Sequence, residues 1–95
     1  MFNVYEEDGL DDVLPTNAKV TILDVWGYDG NDMPSKMFDI CAIAHPGETV
    51  KSSLKVLHCV YSKLCSEAGY EPREAYGYES YWKVADNEYV INLGT

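Results

Sequence analysis

"HPGETVKSSLKVLHCVYSKLCSEAG", residues 45–69, decides the fold. Val50, Leu54, Leu57, Tyr61, Leu64 and Ala68 recur at the 3.6-residue period, so one side of this stretch is apolar. Thr49 stands where an N-cap belongs and Gly69 where the helix must stop. The outward side carries Lys51, Lys55 and Lys63, three of the seven basic residues in the chain. A long amphipathic helix needs a partner surface, and the flanking segments supply one.

Upstream, "KVTILDVWGY" (19–28) and "KMFDICAIAH" (36–45) have strand length and strand composition, with the turn formers "DGNDMPS" between them. They predict an antiparallel hairpin with a long acidic tip. Its alternation is imperfect. Val20, Ile22 and Trp26 share a face with Asp24, which calls for a bulge or for a sheet covered on both faces. Downstream, "SYWKV" and "EYVINL", joined through Asp86 and Asn87, predict a second hairpin in which Tyr89, Ile91 and Leu93 face one way.

At the start, "VYEEDGLDDV" (4–13) packs five carboxylates into ten positions with no basic residue. From Asp8 to Leu14, Leu10, Val13 and Leu14 fall on one side of a helical wheel, with Pro15 beyond the end, so a short acidic helix is expected. The expected fold is α+β: a small antiparallel sheet of two hairpins, one long helix packed on it, and a short acidic N-terminal helix. Ninety-five residues suffice for one domain, 1–95, with one modest core.

No run of apolar residues is long enough to span a membrane, and the start lacks the basic-then-apolar order of a signal peptide. A cytoplasmic protein is expected. Cys41, Cys59 and Cys65 are odd in number and lack CxxC spacing, so reduced, mostly buried thiols are expected. His45 and His58 have no helix-spaced partner, and "DGND" (29–32) lacks the distal Glu of a calcium loop. The chain carries no phosphate-binding glycine loop. No catalytic residue, metal ligand or cofactor is assigned, and the chain is read as a non-enzyme.

Charge is the informative feature. Sixteen acids against seven bases give a net charge of −9. Residues 1–47 hold −7 of it and residues 70–95 hold −3, while 48–69 are at +1. Such a field repels nucleic acid and anionic membranes and attracts cationic surfaces. The acids come in close groups: Glu6, Glu7 and Asp8; Asp11 and Asp12; Asp29 and Asp32; Glu71 and Glu74, with Glu79 beyond. Tyr5, Tyr28, Tyr76 and Tyr78 are interleaved with them, and interfaces favour tyrosine. Carboxylates held along one face offer Arg and Lys the same acceptors as a phosphate backbone. The expected partner is therefore a cationic DNA-binding protein, met through this acidic surface without direct nucleic-acid binding. The alternative is an anti-defence or immunity-type inhibitor that caps a basic active site without imitating a duplex.

In size, in "VYEEDGLDDV", in "GYDGNDMPSKMF" and in the Tyr/Glu-rich "YEPREAYGYESYW", the chain resembles the Arn-type anti-restriction proteins of T-even bacteriophages. The resemblance implies a DNA mimic, dimeric, that occupies the DNA-binding surface of a McrBC-like restriction endonuclease in the host cytoplasm. A compact monomer of this length spans about 25 to 30 Å, and a homodimer joined through the long helix or the second hairpin would double that track.

Overall fold

The structure, a computed structural model, describes residues 2–4, 9–73 and 75–94. Strands β1 (Lys19–Tyr28) and β2 (Pro34–Ile43) form the first hairpin, α1 (Val50–Ala68) follows, and β3 (Glu71–Pro72), β4 (Gly77–Ala85) and β5 (Glu88–Gly94) complete the chain. The fold is α+β, with α1 packed on a five-stranded sheet ordered β2-β1-β5-β4 and β3 added alongside β1.

The long helix follows the sequence closely. Thr49 accepts the Ser52 N–H and Ser52 accepts the Thr49 N–H, a reciprocal capping box, and Gly69 (φ 81°) returns its N–H to the last turn. Val50, Ser53, Leu54, Leu57, Tyr61 and Cys65 are buried, while Leu64 packs only partly and Ala68 is exposed. Close contact with the sheet depends on Gly27, where an added Cβ would come within 2.9 Å of Tyr70 Cβ.

The imperfect alternation of β1 is a bulge. Ile22 pairs with Ile40 and Val25 with Phe38, so Leu23 and Asp24 insert one extra residue. Asp24 takes up the left-handed conformation this demands (φ 59°), and Asp39 Oδ1 accepts its N–H at 3.0 Å. The insertion moves Val25 onto the core face with Val20 and Ile22, and turns Trp26 away from it. The second hairpin closes over Asp86 and a left-handed Asn87, as its residues suggest.

Two expectations are corrected. The sheet is mixed: β5 lies beside β1 and parallel to it, with Lys19, Val20 and Thr21 opposite Glu88, Tyr89 and Val90. An interior position suits Tyr89, Val90 and Ile91, whereas β4 carries Glu79 and Lys83 and takes the edge, where charge is tolerated. The short acidic helix is also absent from residues 9–14, and Asp8 lies outside the described residues. Gly9 is left-handed (φ 95°), the Asp12 N–H turns back to the Gly9 carbonyl, and Val13 bridges Thr49 in extended form. Period two then replaces period 3.6, so Leu10 and Leu14 pack inward while Val13 is 66 % exposed.

The centre of the fold is a junction of hydroxyls. β5 pairs with β1 only up to Thr21, and β3 only from Gly27, which leaves the backbone of Trp26 without a strand on that side. Tyr76 Oη accepts the Trp26 N–H at 3.0 Å, and Tyr61 Oη donates to the Trp26 carbonyl at 2.5 Å. Tyr61 Oη also accepts the Arg73 N–H at 2.6 Å. Phe2 stacks on Tyr61 with centroids 5.7 Å apart, which ties the N-terminal segment to the same point.

Tyr61→Phe keeps the ring and removes the hydroxyl from this junction. It should cost about 2 kcal/mol in urea unfolding, because the Trp26 carbonyl and the Arg73 N–H lose their partner in a buried place. Thr49→Ala, which removes one cap, should cost about 1 kcal/mol.

Candidate functional site

The acidic N-terminal segment is held by the helix it precedes. An α-helix begins with four N–H groups that lack intrahelical acceptors. In α1 the first and the fourth are satisfied within the capping box. The Val50 N–H goes to the Asp12 carbonyl at 3.0 Å and the Lys51 N–H to the Leu10 carbonyl at 2.9 Å. The Leu14 N–H answers to the Glu48 carbonyl at 2.8 Å. The segment is thus strapped across the positive end of the helix dipole, where its carboxylates are favoured. Asp11 and Asp12 are both exposed there.

Asp12 has a second anchor that no sequence spacing reveals. Tyr81 Oη, 69 residues away on β4, donates to Asp12 Oδ2 at 2.5 Å. The hydrogen bond to this carboxylate, with some burial, pushes the Tyr81 phenol up to about 12. Gly9 passes against the same ring, since an added Cβ would stand 2.7 Å from Tyr81 Cε1. Glu79, two residues earlier on β4, lies in a bulge between Tyr78 and Ser80, and its Oε1 accepts from Asn92 Nδ2 at 3.4 Å. Glu6, Glu7, Asp8 and Tyr5 lie outside the described residues.

The second acidic group lies at the far end of the sheet. Tyr28 pairs with Glu71, and Asp32 and Glu71 line an open depression of about 550 Å³ together with Tyr28, Pro72, Arg73 and Ala75. Glu74 lies outside the described residues. Arg73, the sole arginine, stacks over Tyr28 and Tyr76 at 5.5 and 5.6 Å and donates through Nη1 to the Tyr28 hydroxyl. Two aromatic faces flank its charge, while its buried Nε has no hydrogen-bond partner among the described residues.

Asp29 does a different job from its neighbour Asp32. Its carboxylate accepts the N–H groups of Asn31 (2.8 Å) and Met33 (3.1 Å), closing the hairpin tip. Those backbone donors, Met33 foremost, hold its carboxyl below the usual range. "DGND" is a turn built on Asp29.

Tyrosines divide in the same way. Tyr76 and Tyr78, expected as surface contacts, are 6 % and 2 % exposed, because Tyr76 completes the Trp26 junction and Tyr78 belongs to the core. Tyr28 is half-buried beneath Arg73. The thiols also depart from expectation: Cys65 is buried, but Cys41 and Cys59 are exposed, and all three are free. Cys41 lies on the face of β2 turned from the helix, where alternation alone could not say which face is covered. His58 packs edge-on against Phe2 and Tyr61, and burial lowers its pKa. Among the described residues no three His, Cys, Asp or Glu side chains converge to hold a metal ion.

Comparison of the chain with protein families, with curated proteins and with solved structures finds no match. Among the described residues, no helix is long and apolar enough to cross a membrane.

The Tyr81–Asp12 contact sets an alkaline dependence. A phenol whose folded pKa is raised above its unfolded value near 10 stabilises the fold below that value. This contribution should fade as the pH rises from about 10 toward the folded value of about 12. Burial raises the Tyr61 and Tyr76 phenols as well, so Tyr81→Phe should remove one of several high-titrating phenols from the absorbance profile. Asp29 gives the opposite sign: its contribution is present above the unfolded carboxyl range and is lost as the pH falls through its depressed folded pKa. Asp29→Ala should flatten the acid limb of the stability profile.

Proposed function

We propose that this chain is a nucleic-acid-mimicking inhibitor that acts in the cytoplasm. It occupies the DNA-binding surface of a cationic protein, in the first instance a modification-dependent restriction endonuclease. It works by occupancy and carries out no reaction.

The observation that carries this reading is the separation of charge in the fold. Lys51, Lys55 and Lys63 stand exposed on α1, and Lys63 reaches only as far as Glu67, at 4.0 Å. Asp11 and Asp12 lie where the N-terminal segment meets β4, Glu79 lies farther along that edge, and Asp32 and Glu71 lie at the hairpin end. The longest dimension, 39 Å, supports the reading as well. It exceeds the 25 to 30 Å of a compact globule, and one turn of duplex DNA rises about 34 Å. The fold is therefore long enough to match about one turn. Free thiols suit a reducing compartment.

A competition assay tests this. The protein is titrated into a modification-dependent restriction endonuclease bound to labelled duplex, at about 50 mM and about 200 mM salt. Stoichiometric release at low salt, weakened at high salt, is expected. Asp11→Lys combined with Glu71→Lys should abolish release while costing about 1 kcal/mol of stability, because both side chains are exposed and Asp11 sits near the positive end of α1. Reversing Lys51, Lys55 and Lys63 to Glu should leave release intact. Full release by the Asp11/Glu71 variant would remove these acids from the site.

A further inference from the structure

The helix and the N-terminal segment cover one face of the sheet, and among the described residues no element covers the other. That open face mixes apolar and acidic side chains in rows. Cys41, Thr21, Val90 and Trp82 stand side by side in one uncharged row across the four long strands. Trp26 opposite Met37 begins another. Between them runs an acidic row: Asp39 on β2, Asp24 in the β1 bulge and Glu79 in the β4 bulge. Asp39 accepts the Asp24 N–H and Glu79 accepts from Asn92, but among the described residues no Lys or Arg pairs with any of these three carboxylates. Lys19 already sits opposite Glu88. Leu23, Met37, Ile43 and Trp82 are 47 to 51 % exposed around this charge. Large apolar side chains left in water beside unpaired carboxylates mark a contact surface.

We propose that this face docks a basic amphipathic helix of a partner protein, with its apolar side chains on the uncharged rows and its Lys or Arg on the acidic row. Size argues for it. Four strands about 4.8 Å apart, each about eight residues at about 3.3 Å per residue, give a face of about 19 by 26 Å. A helix of about 14 residues, about 21 Å long and about 10 Å across, fits on it. Neighbouring rows on one face are about 6.6 Å apart. A helix seated on one row therefore reaches the next with a lysine whose stem lies along apolar surface. Charge decides between occupants. A second copy would bring another set of unpaired carboxylates against the first, and a chain at −9 is repelled by anionic lipid. A basic helix neutralises Asp24, Asp39 and Glu79 while its apolar side covers Leu23, Met37 and Trp82. The contact is independent of duplex imitation, because it needs apolar burial and leaves Asp11, Asp32 and Glu71 outside.

The wild-type chain carries its own reporters. Both tryptophans, Trp26 and Trp82, lie on the face with Cys41, whereas Cys59 lies on α1. The probe is a peptide of about 14 leucines and lysines patterned as an amphipathic helix. At about 100 µM peptide, tryptophan emission should shift to the blue. A maleimide should then modify Cys41 about fivefold more slowly, with Cys59 unchanged. A peptide with serine in place of leucine, or glutamate in place of lysine, should leave Cys41 reactive. Asp24→Asn with Asp39→Asn removes charge alone, since asparagine suits a left-handed φ and keeps the acceptor at position 39. That variant should bind the leucine–lysine peptide about three- to tenfold more weakly. Should it unfold, the protection of Cys41 in the wild-type chain still decides. An unprotected Cys41, or equal protection by the serine or glutamate peptide, overturns the proposal. So does protection without peptide that grows with protein concentration, which assigns the face to a second copy. Protection by phosphatidylcholine vesicles assigns it to lipid and overturns the proposal as well. Asp11→Lys with Glu71→Lys, which should abolish DNA release, should leave the peptide's protection of Cys41 intact, so the two readings fail separately.

Discussion

The second edge of β1 is the constraint on which this fold depends. One side of β1 is paired with β2 along its length, but the other must be satisfied by three different donors and acceptors in succession. β5 serves the first three residues and β3 the last two. Between them, the hydroxyls of Tyr61 and Tyr76 take the place of a strand at Trp26. A buried backbone group without a partner is costly, so this short junction decides where α1, β3 and the loop before β4 can sit. Tyr61 lies on the helix, Arg73 follows β3, and Tyr76 precedes β4, so one cluster ties three elements to the central strand.

The crowded carboxylates of residues 4–13 are tolerated for a related reason. As a free helix, Asp8, Asp11 and Asp12 would repel one another at three- and four-residue spacing. Laid across the start of α1, residues 10–12 supply carbonyls to the Val50 and Lys51 N–H groups and set Asp11 and Asp12 in the positive field of the helix end. Tyr81 then fixes Asp12 from the sheet. The acidic block is therefore part of how the helix is capped as well as part of the surface. Loss of its backbone contacts would expose the first turn of α1, and loss of its charges would not.

These arrangements leave three distinct surfaces. The outer face of α1 carries Lys51, Lys55 and Lys63, the N-terminal strap and the hairpin end carry Asp11, Asp12, Asp32 and Glu71, and the open face of the sheet exposes Leu23, Met37, Ile43 and Trp82 among Lys19, Asp24, Asp39 and Glu88. Each residue type has been sorted by a different physical demand. The lysines occupy helix positions that face water, the acids occupy a strap, an edge and a tip, and the apolar residues occupy alternate positions of strands that cannot turn both faces inward.

Much of the fold was legible in the residues. The 3.6-residue period, Thr49 and Gly69 determined the helix and both its ends, because these signals are local. The two hairpins, the turn at Asp86–Asn87 and the irregularity in β1 were likewise written in alternation and turn chemistry. Of the candidate site, the net charge and its grouping were readable, whereas which acids point outward, among them Asp11, Asp12, Asp32, Glu71 and Glu79, came only with the fold. What tertiary structure alone decided is everything that depends on partners distant in the chain. It put Val13 outward and Leu10 inward, because the segment found hydrogen bonds to α1 instead of to itself. It buried Tyr76 and Tyr78 and committed Asp29 to its own turn, and it placed β5 inside and parallel. A local pattern specifies which side of an element is apolar, whereas which neighbour covers that side is settled only when the whole chain has satisfied its buried polar groups.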